Sequence, residues 1–190
     1  MGIRSFLAFE LPPSIKKHLW EISGELQQSH LPVRWVKREN IHLTIIFLGS
    51  VNEDTIHAIG ERASAVAQRF SVIKIGLNGV GVFPNWRRPR VLWIGIEGDT
   101  EILSHLRDEL QRELKPLGFT PEDRPFRPHL TLGRFKGRLH RDDELKWILD
   151  RFHDISTTLE CLNELILFKS DLKPSGPVYT RMAAWPLQGV

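Results

Sequence analysis

The chain has 190 residues, 41% of them hydrophobic and 26% charged, as is ordinary for a globular protein of one domain or of two small lobes sharing a core. No apolar run is long enough to cross a bilayer, and the single cysteine, Cys161, excludes an internal disulfide and is expected to be a small buried residue. The N-terminus shows no signal-peptide pattern, so we expect a cytoplasmic protein without membrane association, and we expect a monomer; the net charge of +3 is mild.

The first half of the sequence predicts strands that alternate with two helices. A strand over 3–10 precedes a helix opened by Pro12 and Pro13, whose apolar residues recur on one helical face. A short strand over 33–36 leads through a turn to a strand over 41–49. Asn52 is then predicted to cap a second amphipathic helix.

The second half predicts strands over 72–82 and 91–96, a helix over 100–117, a strand from 129, a short helix from 142, and strands over 155–169 and 178–185. Several strand pairs lack a crossover helix, which favours an α+β fold with mainly antiparallel sheets. Four helices would cover the outer faces of two sheets, and the inner faces would meet at a groove. Residues 1–190 are expected to form a single two-lobed domain.

Two of the predicted strands carry the same short pattern. His42 and Thr44 flank a leucine in the strand over 41–49, and His129 and Thr131 flank a leucine in the strand from 129. Because side chains alternate along a strand, each histidine lies on the same face as its threonine. A fold that brings the two copies face to face creates a site with two imidazoles and two hydroxyls.

Such a site suits general acid–base chemistry on a phosphate. A histidine near its ordinary pKa of ~6.5 can act as acid or base at neutral pH, each contributing on the order of 10²–10⁴ in rate. In phosphoryl transfer the attacking and leaving oxygens are roughly in line, so acid and base belong on opposite sides. The hydroxyls of Thr44 and Thr131 could hold the non-bridging oxygens.

Basic residues concentrate around these two motifs, which favours a phosphate-bearing ligand. Three groups stand out: Arg34, Lys37 and Arg38; Arg87, Arg88 and Arg90; and Arg124, Arg127, Arg134, Lys136, Arg138 and Arg141. Trp35 and Trp86 lie beside basic residues and could stack on RNA bases. The alternative is that Trp35 belongs to the core and Trp86 covers a loop.

Other kinds of site are less well supported. One histidine beside a threonine is usually structural, but two copies with the same interleaving are harder to attribute to chance. Catalytic zinc normally needs three protein ligands, and no zinc-binding spacing occurs, so we expect no metal. No glycine-rich phosphate-binding pattern indicates a nucleotide cofactor.

The sequence resembles the two-histidine phosphoesterases, and within them the RNA 2′,3′-cyclic phosphodiesterases, also called RNA 2′,5′-ligases. The resemblance rests on residues 40–44 with 47–49, and on 128–132 with Arg134. Residues 4–9, 81–84 and 89–93 also look like family sequence. It implies a bilobal α+β fold with a pseudo-two-fold axis, and metal-independent hydrolysis of RNA 2′,3′-cyclic phosphate ends to 2′-phosphates, with reversible 2′,5′ ligation as a further activity.

The resemblance also implies residue roles. His42 would donate a proton to the leaving 3′ oxygen and His129 would activate water, while Thr44, Thr131 and Arg134 would bind the phosphate. Strict alternation places Arg134 on the face opposite His129, so it reaches the phosphate only if the strand bulges near Gly133. Two alternatives stay open: an RNA- or nucleotide-binding module without catalysis, and a phosphodiesterase of 2′,5′-oligonucleotides or small cyclic nucleotides.

Overall fold

The computed structural model describes residues 2–137, 142–174 and 176–189. Its strands are β1 (Ile3–Phe9), β2 (Val33–Trp35), β3 (Leu43–Val51), β4 (Ile73–Phe83), β5 (Val91–Gly98), β6 (His129–Phe135), β7 (Glu160–Leu162), β8 (Glu164–Lys173) and β9 (Gly176–Pro186). Its helices are α1 (Pro13–Gln28), α2 (Glu53–Ala67), α3 (Thr100–Leu114) and α4 (Asp142–Arg151), with short 3₁₀ turns at Arg38–Asn40 and Lys115–Leu117.

The strands form two sheets in which all neighbours run antiparallel. The four-stranded sheet has the order β3-β1-β8-β9, and the five-stranded sheet has the order β2-β6-β5-β4-β7. The predicted α+β fold with two antiparallel sheets is confirmed. The motif strands β3 and β6 lie in different sheets and contact each other, so the two strands that carry the pattern are neighbours where the sheets meet.

The strand β1 is buried on both faces and separates two hydrophobic clusters. Leu7 and Phe9 point into the main core, which also receives leucines of α3 and residues of both sheets. Phe6 and Ala8 point the other way and form a smaller cluster with Ile166 and Phe168 of β8, against which Tyr179 and Ala184 of β9 pack. We call this second group the aromatic cluster. It forms the floor beneath the first motif.

The amphipathic helices follow the predicted pattern. The Asn52 side chain accepts a hydrogen bond from the backbone N–H of Thr55 at 2.7 Å, so the predicted cap of α2 is confirmed. α3 ends at Leu114, earlier than predicted, and continues as a 3₁₀ turn that contains Pro116. No helix in the described ranges has the length and apolar character needed to cross a membrane.

The prediction of one strand over 155–169 is wrong. Two strands occupy this region, and the single residue Asn163 separates them. β7 pairs with β4 in the five-stranded sheet, whereas β8 pairs with β1 in the four-stranded sheet. The sequence hides this crossing, because both segments are extended and only their partners differ. Cys161 lies on the edge strand β7 and is exposed, so the expectation that it is buried is also wrong.

Candidate active site

The second motif strand, β6, carries a bulge directly after its threonine. Thr131 pairs with Trp93 of β5, but the next pair joins Gly133 to Leu92, so Leu132 is an extra residue. One extra residue reverses the alternation that follows it. Arg134 therefore returns to the face of His129 and Thr131, and the bend that its proposed role requires is present.

Glycine at position 133 is needed because another strand passes close by. A Cβ atom there would lie 2.3 Å from the Cγ1 atom of Val33 and 3.0 Å from the carbonyl oxygen of Arg34. Both belong to β2, which pairs with β6 through this segment. The absence of a side chain at Gly133 thus allows β2 to pair directly beside the bulge.

The first motif strand, β3, has the same irregularity at the same place. Thr44 pairs with Ala8 of β1, while the next pair joins Ile46 to Leu7, so Ile45 is the extra residue. The side chain that returns to the face of Thr44 is Phe47, which is 63% exposed. The two motifs therefore repeat in backbone geometry as well as in sequence.

Both motif imidazoles are held in the same way. The Nδ1–H of His42 donates to the carbonyl oxygen of Asn40 at 2.8 Å, and that of His129 donates to the carbonyl oxygen of Arg127 at 2.7 Å. In each case the acceptor lies two residues earlier in the chain. Because Nδ1 is occupied, Nε2 is the nitrogen available for proton transfer in both rings.

The turn that holds His42 is itself anchored. The buried side chain of Asn40 donates to the carbonyl oxygen of Pro177 in β9 at 2.9 Å. His42 lies just before β3 rather than within it, because the 3₁₀ turn ending at Asn40 delays the strand to Leu43. The orientation of the first imidazole thus depends on a contact between distant parts of the chain.

His42 rests on the aromatic cluster. Its ring stacks on Phe6 with centroids 4.6 Å apart and meets the ring of Tyr179 edge to face at 5.1 Å. Burial lowers the pKa of His42 to about 4, although the hydrogen bond to Asn40 opposes this shift. His42 is consequently neutral at pH 7 in the free protein.

His129 is surrounded by a separate pair of aromatic rings. Its ring meets that of Phe83 edge to face at 5.0 Å and lies 6.3 Å from that of Trp93. Burial lowers the pKa of His129, the hydrogen bond to Arg127 opposes this effect, and the charge of Arg134 lowers the pKa further. The influence of Arg134 places its charge close to this imidazole.

Tyr179 is a site residue that sequence reasoning missed. Burial raises the pKa of its phenol, while the charges of Arg134 and Arg4 act in the opposite direction. Arg134 belongs to the five-stranded sheet and Tyr179 to the four-stranded sheet, so charges of both sheets act on this phenol. No local pattern marks it, because its position follows only from the pairing of β8 with β9.

The two tryptophans proposed for base stacking differ in exposure. Trp35 is half-buried and packs against the main core, whereas Trp86 is 42% exposed and the guanidinium carbon of Arg87 lies 5.2 Å from its ring centroid. Arg138 and Arg141 lie outside the described residues. The described ranges contain no group of three or more His, Cys, Asp or Glu residues suited to hold a metal ion.

Comparisons with known proteins agree with this geometry. The sequence profile of the 2′-5′ RNA ligase superfamily matches residues 11–171. Two similar proteins, both named RNA 2′,3′-cyclic phosphodiesterase, come from Methanothermobacter thermautotrophicus and Archaeoglobus fulgidus. The first is 35% identical, with 98% of this chain and all of the relative covered, and the second is 37% identical, with 93% and 96% covered.

Solved structures share the fold across its length. TT0787 of Thermus thermophilus is 26% identical and superimposes with a TM-score of 0.83, covering 98% of this chain and 99% of that one. LigT of E. coli in complex with 3′-AMP is 24% identical, with a TM-score of 0.72 over 98% of this chain and 99% of its own, and indicates the fold alone. The chain belongs to the 2′-5′ RNA ligase superfamily.

Proposed function

We propose that the protein is a metal-independent phosphodiesterase that hydrolyses the 2′,3′-cyclic phosphate at the 3′ end of RNA to a 2′-phosphate. The observation that carries this proposal is the matched pair of imidazoles, each held through Nδ1 and each left with a free Nε2. Relatives with this name match nearly the whole chain and support the substrate class.

The reaction needs one proton removed and one delivered. The Nε2 atom of His129 takes a proton from water as the water oxygen attacks phosphorus. The bond between phosphorus and the 3′ oxygen breaks, and the Nε2–H of His42 protonates that oxygen. Thr44 and Thr131 donate hydrogen bonds to the non-bridging oxygens, and Arg134 stabilises the charge that they gather. The product carries a 2′-phosphate and a free 3′-hydroxyl.

His42 must acquire its proton together with the substrate. Its pKa of about 4 leaves the ring neutral at pH 7 in the free protein. A bound cyclic phosphate brings a negative charge next to the ring, and a nearby opposite charge favours the protonated form. Substrate and proton therefore bind cooperatively. This coupling keeps the acid inactive until a phosphate occupies the site.

The same site supports ligation of RNA ends as a second activity. If a 5′-hydroxyl of another RNA replaces water, its attack on phosphorus and departure of the 3′ oxygen produce a 2′,5′-phosphodiester with the same proton transfers. The superfamily that the chain belongs to is named for this reaction. Hydrolysis remains the first proposal, because water is always present at high concentration.

The test is direct. A nucleoside 2′,3′-cyclic phosphate is incubated with the protein in excess chelator, and the 2′- and 3′-phosphate products are separated by chromatography. We expect the 2′-phosphate alone, with no loss of rate when chelator is added. Release of the 3′-phosphate would contradict the assigned leaving group, and restoration of lost activity by a divalent cation would contradict metal independence.

The proposal extends to the domain organisation, the oligomeric state and the location of the protein. We propose that the whole chain acts as one two-lobed domain, which is supported by a main core that takes residues from both sheets. We also propose that it acts as a monomer in the cytoplasm, where RNA ends are available and where an exposed thiol such as Cys161 remains reduced. Measurement of the mass in solution tests the monomer.

A further inference from the structure

Two arginines lie directly opposite each other at the edge of the five-stranded sheet. Arg34 of β2 pairs with Arg134 of β6, and β2 is the outermost strand on that side. Directly opposed residues of an antiparallel pair point to the same face. Because the bulge in β6 turns Arg134 toward the face of His129, Arg34 shares that face. Both side chains are exposed.

This arrangement is unfavourable unless an anion lies between or beside the two charges. Like charges placed directly opposite in a sheet destabilise it. Within the described ranges neither Arg34 nor Arg134 has a carboxylate within ion-pairing distance, although arginines elsewhere do, namely Arg62, Arg69, Arg112, Arg151 and Arg181. Adjacent guanidinium groups without acidic partners are suited to phosphate oxygens.

The reacting phosphate accounts for only one of these charges. A 2′,3′-cyclic phosphate is a diester with a single negative charge, and in the proposed site Arg134 faces it together with the two threonines. Arg34 lies one strand farther from His129, a step of about 4.8 Å toward the open edge of the sheet. RNA supplies one additional phosphodiester charge for each further nucleotide.

We propose that Arg34 binds the phosphodiester that joins the terminal nucleotide to the preceding one. The inference rests on the proposed function and specifies its substrate class as RNA ends rather than free cyclic mononucleotides. A mononucleotide reaches His42, His129 and Arg134 but leaves Arg34 without a partner. Of the two paired arginines, Arg134 thus contacts the reacting phosphate and Arg34 contacts the next phosphate along the RNA.

The experiment uses two dinucleotides that both end in a 2′,3′-cyclic phosphate. One has a natural phosphodiester linkage, and the other has a methylphosphonate linkage, which retains both bases but carries no charge. For the wild-type protein we expect kcat/KM to be about tenfold higher with the charged linkage, the value of one charge-assisted contact. Arg34→Ala should remove this difference and leave hydrolysis of a cyclic mononucleotide unchanged.

Two further variants separate local recognition from general charge. Lys115→Ala removes one positive charge from an exposed position at the end of α3, outside both motif strands, and should keep the full preference. Arg4 lies on the four-stranded sheet across the site, so Arg4→Ala should also keep it. Arg34→Ala should unfold at a temperature no lower than that of the wild type, because a like-charge contact has been removed.

The outcomes are distinct. Loss of the preference in Arg4→Ala but not in Arg34→Ala places the subsite on the other sheet and overturns the inference. If Arg34→Ala lowers kcat/KM equally for both dinucleotides and for the mononucleotide, Arg34 has a structural role and the inference is overturned. If the wild-type protein hydrolyses the mononucleotide but has the same kcat/KM for both dinucleotides, the Arg34 subsite is overturned and the proposed function is not. One that hydrolyses none of the substrates overturns the proposed function.

Discussion

Phe47 and Arg134 occupy equivalent positions in the two halves of the site. Each stands three positions after a motif threonine, each follows a bulge, and each returns by that bulge to the face of its motif. One is an exposed aromatic ring beside Phe6, and the other is an exposed guanidinium beside His129. The repeated backbone thus presents an apolar ring beside the first motif and a charge beside the second.

Phe47 is expected to stack on the base of the terminal nucleotide. Phe47→Ala should raise KM for a nucleoside cyclic phosphate by about 5- to 100-fold with little change in kcat, since stacking is worth ~1–3 kcal/mol per base. Leu172→Ala, which truncates another strongly exposed apolar side chain, is the control and should leave KM unchanged. A ribose cyclic phosphate lacking a base should be insensitive to Phe47→Ala, and sensitivity there would contradict stacking.

The two histidines should be separately essential for turnover. His42→Ala and His129→Ala should each lower kcat by about 100-fold or more, because each removes one proton transfer. Thr44→Ala and Thr131→Ala should cost less, since each removes one hydrogen bond among several. His57→Ala, on the exposed face of α2, should have wild-type activity. Circular dichroism checks that each variant remains folded, and near-normal turnover in either motif variant contradicts the acid–base assignment.

The pH profile should be bell-shaped and displaced to acid. The productive free protein has one protonated and one neutral imidazole, and burial lowers the pKa of both His42 and His129 below 6.5. We therefore expect kcat/KM to increase as the pH falls from 8 and to reach its maximum below pH 6.5. Initial rates across pH 4–9 measure this. A maximum above pH 7 would show that the imidazoles are not desolvated in the free protein.

Burial of His42 should also make folding stability depend on pH. Its pKa is about 4 when folded and about 6.5 when unfolded, so the unfolded chain binds more protons between these values. Stability is then fully present above pH 6.5, falls as the pH falls toward 4, and changes no further below that pH through this group. The total effect is on the order of 3 kcal/mol. Urea unfolding of the wild type and of His42→Asn should differ in this slope.

Gly133 should be intolerant of any side chain. Gly133→Ala places a Cβ atom 2.3 Å from Val33 and should destabilise the protein by about 1–3 kcal/mol while lowering kcat, because β2 and Arg134 must shift. Gly24→Ala is the matched control, since a Cβ atom there meets nothing within 4 Å and alanine favours the helix. Thermal unfolding and turnover of both variants give the comparison, and a neutral Gly133→Ala would contradict the close strand approach.

The parts of the site that follow from local rules could be predicted from the sequence. Alternation of side chains placed His42 with Thr44, and the helix signals located Asn52 as a cap. The Nδ1 contacts of the histidines, the aromatic cluster and Tyr179 could not be predicted. The aromatic cluster and Tyr179 depend on pairings between distant strands, whereas the Nδ1 contacts are local but depend on the orientation of each ring, and a single sequence encodes neither in a periodic pattern.

The break at Asn163 illustrates the same limit for the fold. Residues on both sides are extended, so the pattern predicts one strand, yet the partners lie in different sheets. The bulge that turns Arg134 was identifiable only as a requirement of its proposed role. Register, rather than propensity, is the information that the structure adds.

The four-stranded sheet has a consequence for synthesis of the protein. β1 and β3 come early in the element order, but their sheet is completed by β8 and β9, which follow more than 100 residues later in the chain. A nascent chain that has already exposed His42 therefore lacks Phe168 and Tyr179, the rings that bury it. The two-histidine site can therefore be completed only after β8 and β9 have been synthesised, and a chain that stops before β8 carries both motifs without the aromatic rings that pack against His42.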